Sequence, residues 1–568
     1  MIDGKRSLRL FGAGLLMLTV AACAGAERDM DGAASGTGPG AAATGALFDA
    51  NRLEADVRFL ADDSLRGREV GTRGYRIAAN FVASRFRALD LAPAGEGESY
   101  FQQVPFRTAS VSAEDAGISL TVDGETRTLE MGPDFITFGS VANPQADVEG
   151  PVVFAGYGIH APKLGHDDLA GLDLHGKVAL VLSGAPGSFN SEVRAHHGST
   201  GTKAEELAER GARGVLVVKT RVDEKRRPFA RMKRYIGHES FDWVRREGDE
   251  GGAAARVEMS ASISHDVAAD LLASGGLSLD SVLTAAETGA PQGAALNARV
   301  AMHRNSQLGD VVHGANVAGM LPGTDPALRD EVVVMTAHLD HVGVQDHEEG
   351  EDKIANGALD NAAGTAVMLE VARAFAEPEN RPARSLLFLA VTAEEKGLLG
   401  AEYYAEYPTV DMPRLVANVN LDMPVLLYDF SDVVAFGADR SSLGPIAEKA
   451  VKGAGVTLSP DPMPEEGIFT RSDHYRFVEK GVPAIFLMTG WGETADGVDG
   501  GAKFRDFLAN TYHGPKDDLN QPIDYQAGAK FAHVNWLIIR DLANAVDTPH
   551  WNAGDFFGET FNGPMADD

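Results

Sequence analysis

Cysteine is nearly missing from this sequence: Cys23 is the only one in 568 residues. That excludes a disulfide framework within the chain and any metal site built on several thiolates. Positive charge is also scarce. Lys and Arg number 51 against 82 Asp and Glu, a formal net charge of −31. Such a balance argues against nucleic acid as a partner and suits a soluble, exported protein. After the first two dozen residues, no segment approaches the roughly 18 consecutive apolar residues that a membrane span needs. Hydrophobic residues at 44% and charged residues at 23% are ordinary for a globular protein. The length is too great for one ordinary core, so two or more domains are expected.

The lone cysteine sits in an informative place. Lys5, Arg6 and Arg9 precede an apolar stretch from Leu10 to about Val20, and small residues follow. This is the layout of a secretory signal, too short and too early for a spanning helix. Val20-Ala21-Ala22-Cys23 also resembles a bacterial lipoprotein box, in which the cysteine is lipidated and becomes the new N-terminus. Residues 1–23 are therefore expected to be a lipoprotein-type signal. Cys23 would attach the protein to a membrane without a spanning helix. The expected location is the cell envelope, as an outer-membrane or periplasm-facing lipoprotein, with secretion as the alternative. Residues 24–46 are rich in Gly, Ala, Ser and Thr and read as a flexible linker.

Three textures follow. In 47–107 two amphipathic helices flank a Gly-rich loop, with Ile77, Phe81, Val82, Phe86 and Leu89 at helical spacing. In 108–304 short β-type runs ("GPVVFAGYGI", "GKVALVLSG") alternate with loops and one helix, and no metal-ligand residues cluster. His196 and His197 are adjacent there, a poor arrangement for chelating one metal. In 305–546 the pattern becomes strand, loop, helix. "EVVVMTAH", "RSLLFLAV", "LVANVNL" and "GVPAIFLMTG" are near-continuous apolar runs, and "GTAVMLEVARAFAEP" is a helix stopped by Pro378. Such runs between helices predict an α/β fold with a mainly parallel central sheet covered on both faces. Ligands bind beyond the carboxyl ends of such strands. Residues 547–568 form a C-terminal tail.

The acidic and histidine residues fall at those ends. His338 and Asp340 ("TAHLDH") follow the first run, and Asp340 is placed to steer the His338 imidazole. Asp360 ("NGALDNAAG") precedes a helix. Glu394 and Glu395 ("TAEEKGLLG") follow the second run and Asp422 ("NLDMP") the third. His513 ("YHGPKDD") lies far downstream. Taken singly, each has an ordinary explanation. Asp before a helix is usually an N-cap, and an acidic pair at a helix start usually complements the helix dipole. Five sites carrying His, Asp, Glu, Asp and His in order shift the balance. A mixture of imidazole and carboxylate suits zinc, with manganese or cobalt as substitutes.

Together "AHLDHVG", "GALDNAAGTAVMLE", "TAEEKGLLG", "NLDMP" and "YHGPKDD" resemble the co-catalytic zinc aminopeptidase family. That family includes secreted bacterial leucyl aminopeptidases, glutamate carboxypeptidase II and the catalytically silent transferrin receptor. The resemblance covers 305–546, with 47–107 similar to the family's N-terminal start. Residues 108–304 resemble its inserted protease-associated domain, a β-rich α+β unit. The resemblance implies the zinc exopeptidase fold and two zinc ions. His338 and Asp422 would hold one, Glu395 and His513 the other, and Asp360 would bridge them. Asp340 would be the orienting carboxylate behind a ligand, and Glu394 the general base. The implied activity is removal of N-terminal residues from peptides with free N-termini. The alternatives are a carboxypeptidase, a glutaminyl cyclase-like transferase and a non-catalytic surface binding protein. "RSDHYRF" resembles a family segment near the substrate cleft, although Ser472 or Asp473 as a helix N-cap explains it equally well. His341 and His474 adjoin motif residues and are not assigned to the metals.

Overall fold

Seven strands organise the largest sheet: β1 (Phe101–Ser110), β2 (Val312–Leu321), β3 (Val332–His338), β4 (Ser385–Val391), β5 (Leu415–Leu421), β6 (Asp432–Phe436) and β7 (Ala484–Thr489). A computed structural model provides the coordinates and describes residues 47–246, 257–289, 291–348 and 350–566. Cys23 and the linker lie outside the described residues. Across the sheet the order is Ser240–Trp243, β1, β2, β4, β3, β5, β7, β6, Thr457–Ser459.

The sheet is mixed rather than mainly parallel. The centre is parallel: β3 pairs in parallel with β4 and β5, and β5 with β7. Towards the flanks, β1 with β2, β2 with β4 and β6 with β7 are antiparallel, and the edge strand Thr457–Ser459 is parallel to β6. Chain geometry explains one flank. The chain leaves the end of β1 and, after a long excursion, re-enters beside it, where Gln307 faces Ser110. A chain that returns at the end it left from makes an antiparallel pair.

The continuous apolar runs of the central strands are accounted for by burial on both faces. Val333, Met335 and Ala337 of β3 pack into one core with Leu386, Phe388 and Ala390 of β4. Helices Ala50–Leu60, Arg73–Ala88, Ala363–Ala376 and Tyr525–Asn544 cover that face. The alternate residues Val332, Val334, Leu387, Leu389 and Val391 form the opposite core with Ala401, Tyr404 and Phe477. Each Val, Leu, Met or Phe among them contributes about 1.5–3 kcal/mol when fully buried. The central strands are thus held between two packed cores.

The second sheet is drawn from Ala116–Asn305. Its order is Glu125–Leu129, Ala116–Val122, Ala294–Asn305, Gln145–Phe154, Val178–Leu182, Gly214–Val218, Met259–Ile263, Phe135–Ile136. It has a hydrophobic core of its own around Phe154, Leu180 and Leu216. One strand from this part of the chain, Ser240–Trp243, leaves it and pairs with β1. Among the described residues, no helix is long and apolar enough to cross a membrane.

Candidate metal centre

Three neighbouring strand ends deliver most of the polar cluster. His338 is the last residue of β3, and it is in register with Val391, the last of β4. Ala337 of β3 faces Leu421, the last of β5. Asp422 therefore emerges directly beside His338. Glu394 and Glu395 lie just beyond β4, in a turn where Ala393 and Leu398 take left-handed backbone angles. The following helix begins only at Leu399. The acidic pair is thus not in a helical first turn, and the dipole explanation does not apply. Asp360 lies in the tight turn Ala358–Ala362 ahead of Ala363–Ala376. It caps nothing. Asn361 Oδ1 instead accepts the Gly364 N–H at 3.0 Å, which leaves the Asp360 carboxylate for the cluster.

The two oxygens of Asp360 face different partners. Oδ1 lies 3.2 Å from His338 Nε2, and Oδ2 lies 3.3 Å from His513 Nε2. His338 Nε2 is also 3.1 Å from Asp422 Oδ1. His513 Nε2 is 2.8 Å from Glu395 Oε2. Two donors bound about 2.1 Å from one tetrahedral ion sit about 3.4 Å apart. Three of the four separations, 3.1 to 3.3 Å, approach that value, the His513–Glu395 pair at 2.8 Å is closer, and the donors are nitrogen and oxygen only, as zinc accepts. His338, Asp360 and Asp422 form one group able to hold a metal ion. His341, Asp360 and Glu395 form a second, and His338, Glu394 and Glu395 a third. The residues present fit a metal centre.

Burial and mutual charge set the electrostatics. Burial alone would lower the His338 imidazole, but Asp422 and Asp360 outweigh it and hold it well above its ordinary value. The same contest raises His513 to about 10, through Asp360 and Glu395. Burial would raise the Asp360 carboxyl, but hydrogen bonds from His338 and His513 hold it well below the usual range. Glu395 is pushed up by burial and by Asp360, yet His341 and His513 bring it down to about 2. Glu394 goes the other way. Burial, reinforced by Asp422, Asp473 and Glu395, holds its carboxyl well above the usual range. Two adjacent glutamates therefore differ in the property that separates a ligand from a proton acceptor.

Asp340 acts by a route other than the expected one. Its carboxylate does not reach the His338 ring, because His338 Nδ1 lies 3.1 Å from the Asp340 backbone carbonyl. The carboxylate turns to the neighbouring turn, where it accepts the Glu394 N–H at 3.1 Å and the Glu395 N–H at 3.4 Å. Ser472 is not a helix cap either. Its hydroxyl donates to Asp422 Oδ2 at 2.7 Å and accepts from Asn420 Nδ2 at 2.8 Å. Asp473 makes no capping bond and is fully buried. His196 and His197 lie in the Ser191–Gly198 helix, away from the cluster, and His474 is buried among Phe469 and Phe486.

Two supporting residues escape a reading of the sequence alone. Arg68, fully buried, donates to the carbonyls of Leu60, Leu339, Asn356 and Gly357. Burial lowers it to about 10, opposed by Asp517, Asp360, Asp340 and Glu395. Nothing in the "LRGRE" segment marks it. Asp517 accepts the N–H groups of Leu359 and Asp360 at 2.9 and 3.0 Å, and burial raises it to about 6. It lies within "YHGPKDD", so a signal was present. The two parts of the chain also meet. Between them is a cavity of about 700 Å³, lined by Ser199 and Glu205 on one side and Leu398, Tyr475 and Arg476 on the other.

Comparison with known sequences finds a family match for part of the chain. The sequence model of peptidase family M28 matches residues 316–539, which contain every residue of the cluster. That segment is similar to peptidase family M28. A segment of this chain is 38% identical over 95 residues to aminopeptidase YwaD of Bacillus subtilis (strain 168), covering 16% of this chain and 18% of YwaD. It is 29% identical over 262 residues to a probable zinc metalloprotease of Pyricularia oryzae, covering 41% of this chain and 50% of that protein. Neither match spans more than half of the relative's own length. Among solved structures, the aminopeptidase from Aneurinibacillus sp. strain AM-1 aligns with a TM-score of 0.45 at 18% identity, over 89% of this chain and 96% of that one.

Proposed function

We propose that this chain is a metal-dependent exopeptidase, specifically an aminopeptidase acting on peptides with free N-termini. The observation that carries the reading is Asp360, whose two oxygens each face a different histidine–carboxylate set. His338 and Asp422 are assigned to one zinc ion, His513 and Glu395 to the other, and Asp360 to both. When bound there, the ions would polarise the scissile carbonyl and make a water molecule acidic near neutral pH.

This chain's own residues supply the rest. Glu394 takes the proton of the attacking water on its carboxylate and returns it to the leaving amine. A carboxyl held above the usual range suits that exchange. Asp340 fixes the backbone of base and ligand together. Ser472 holds Asp422 Oδ2, leaving Oδ1 towards His338. The 108–304 unit is assigned as a protease-associated-like insertion, with its own sheet and core beside the peptidase part.

The test is one assay panel. Protein lacking residues 1–23 is given aminoacyl-anilides, N-blocked peptides and peptides beginning with Gln, before and after chelation and zinc return. Cleavage of free but not blocked N-termini, abolished by chelator and restored by zinc, is the expected result. Release of C-terminal residues from blocked peptides would make it a carboxypeptidase. Cyclisation of N-terminal Gln would make it a cyclase-type transferase, and no metal-dependent turnover would leave a binding protein.

A further inference from the structure

His341 is used by none of the roles assigned above. Its side chain is fully buried, and its Nδ1 lies 2.7 Å from Glu395 Oε1. The other oxygen of that carboxylate, Oε2, lies 2.8 Å from His513 Nε2. Two imidazoles therefore take the two oxygens of one glutamate, but they are not equivalent. His513 Nε2 is 3.3 Å from Asp360 Oδ2, and His341 Nδ1 is 3.8 Å from it. Donors sharing a tetrahedral ion sit about 3.4 Å apart. His513 matches that spacing with Asp360, although its 2.8 Å approach to Glu395 Oε2 is of hydrogen-bond length, as is that of His341 to Oε1. The 2.7 Å contact of His341 matches a hydrogen bond from an imidazole N–H to a carboxylate.

The His341 ring is also pinned. A Cβ on Gly357 would come within 2.6 Å of its Cγ and 2.7 Å of its Cδ2, so the ring occupies space that only glycine leaves open. Gly357 has a left-handed backbone, φ +62°, and its carbonyl accepts from Arg68 Nη2 at 3.0 Å. The His341 N–H donates to the Arg68 carbonyl at 3.4 Å. On another side the His513 ring stands edge-on, with centroids 5.7 Å apart. A ring held this way cannot swing between partners.

We propose that His341 is a positioning residue. Its Nδ1–H holds Glu395 Oε1, so that Oε2 is presented to the metal shared with His513 and Asp360. This rests on the metal assignment under Proposed function. Residues that orient a metal ligand typically contribute about 10–100-fold in metal affinity.

The experiment measures zinc affinity of the full chain by chelator competition for the wild type, His341→Leu and His341→Asn, with cobalt absorption spectra of each. Asn carries an amide N–H near the Nδ1 position and is a poor zinc ligand. His341→Leu is expected to weaken one of two ions by about 10–100-fold and leave the other unchanged. His341→Asn is expected to recover most of that loss with a wild-type cobalt spectrum. Wild-type affinity at both ions in His341→Leu would overturn the proposal. So would an Asn variant that binds as weakly as Leu with an altered cobalt spectrum, which would make His341 itself a ligand. A wild type that takes up no zinc would overturn the metal assignment and this inference with it.

Discussion

Glu394 and Glu395 hang from one anchor, the Asp340 carboxylate, which accepts both of their backbone N–H groups. Their side chains then part. Glu395 meets two imidazoles and is drawn down to about 2, while Glu394 is left among like charges and pushed up. The difference lies in surroundings, not in residue type. Replacing Glu394 with Gln keeps the volume and leaves the metal ligands in place. Glu394→Gln is expected to retain wild-type metal content while kcat falls by about 10²–10⁴, the usual contribution of a general base. Metal analysis beside steady-state kinetics checks both halves. A variant with near-normal turnover would remove Glu394 from the base role.

Arg68 shows what holds the elements together. It comes from the segment Asp63–Arg68, yet it satisfies carbonyls at the end of Ala50–Leu60, after β3 and before the Asp360 turn. Arg68→Met would orphan those carbonyls and remove a positive charge near Asp517 and Asp360, at a cost of about 2–5 kcal/mol. A lower thermal midpoint in differential scanning calorimetry is the expected result. Arg68→Lys is not expected to rescue it, because one ammonium cannot copy a planar fork of donors. The central strands were legible in the sequence because strands buried on both faces read as unbroken apolar runs. The cluster residues were legible because strand ends are where polar residues interrupt those runs. The flanking strands were not, since direction depends on where the chain re-enters, and no local pattern encodes that. Asp340 was legible as important but not in what it holds. Whether a carboxylate or its own backbone carbonyl meets His338 is decided by the turn, not by a two-residue spacing.

At the scale of the whole molecule the two parts of the chain are fastened as well as adjacent. His196 Nδ1 and the Tyr475 hydroxyl lie 2.6 Å apart in a setting of Phe556, Phe557 and Phe561. Arg440 is paired with both Glu192 and Asp555. Attachment to a membrane is a separate matter, proposed from Cys23 in the sequence. Detergent phase separation of the expressed full chain tests it. The wild type is expected in the detergent phase, and Cys23→Ser in the aqueous phase with unchanged peptidase activity. Equal partitioning of the two would refute lipidation.

The strand Ser240–Trp243 gives the excursion between β1 and β2 a second part to play. It runs beside β1, pairing Trp243 with Phe106 and Ser240 with Ala109, and stacks Phe241 on Phe106 at 5.0 Å. Without it, β1 would present a bare row of backbone donors and acceptors, the kind of border along which sheets of separate molecules zip together. The metal cluster stands at β3, β4 and β5, well inside that border. Trimming the excursion away would thus threaten solubility before it touched the chemistry, and a shortened relative would need its own guard on that edge.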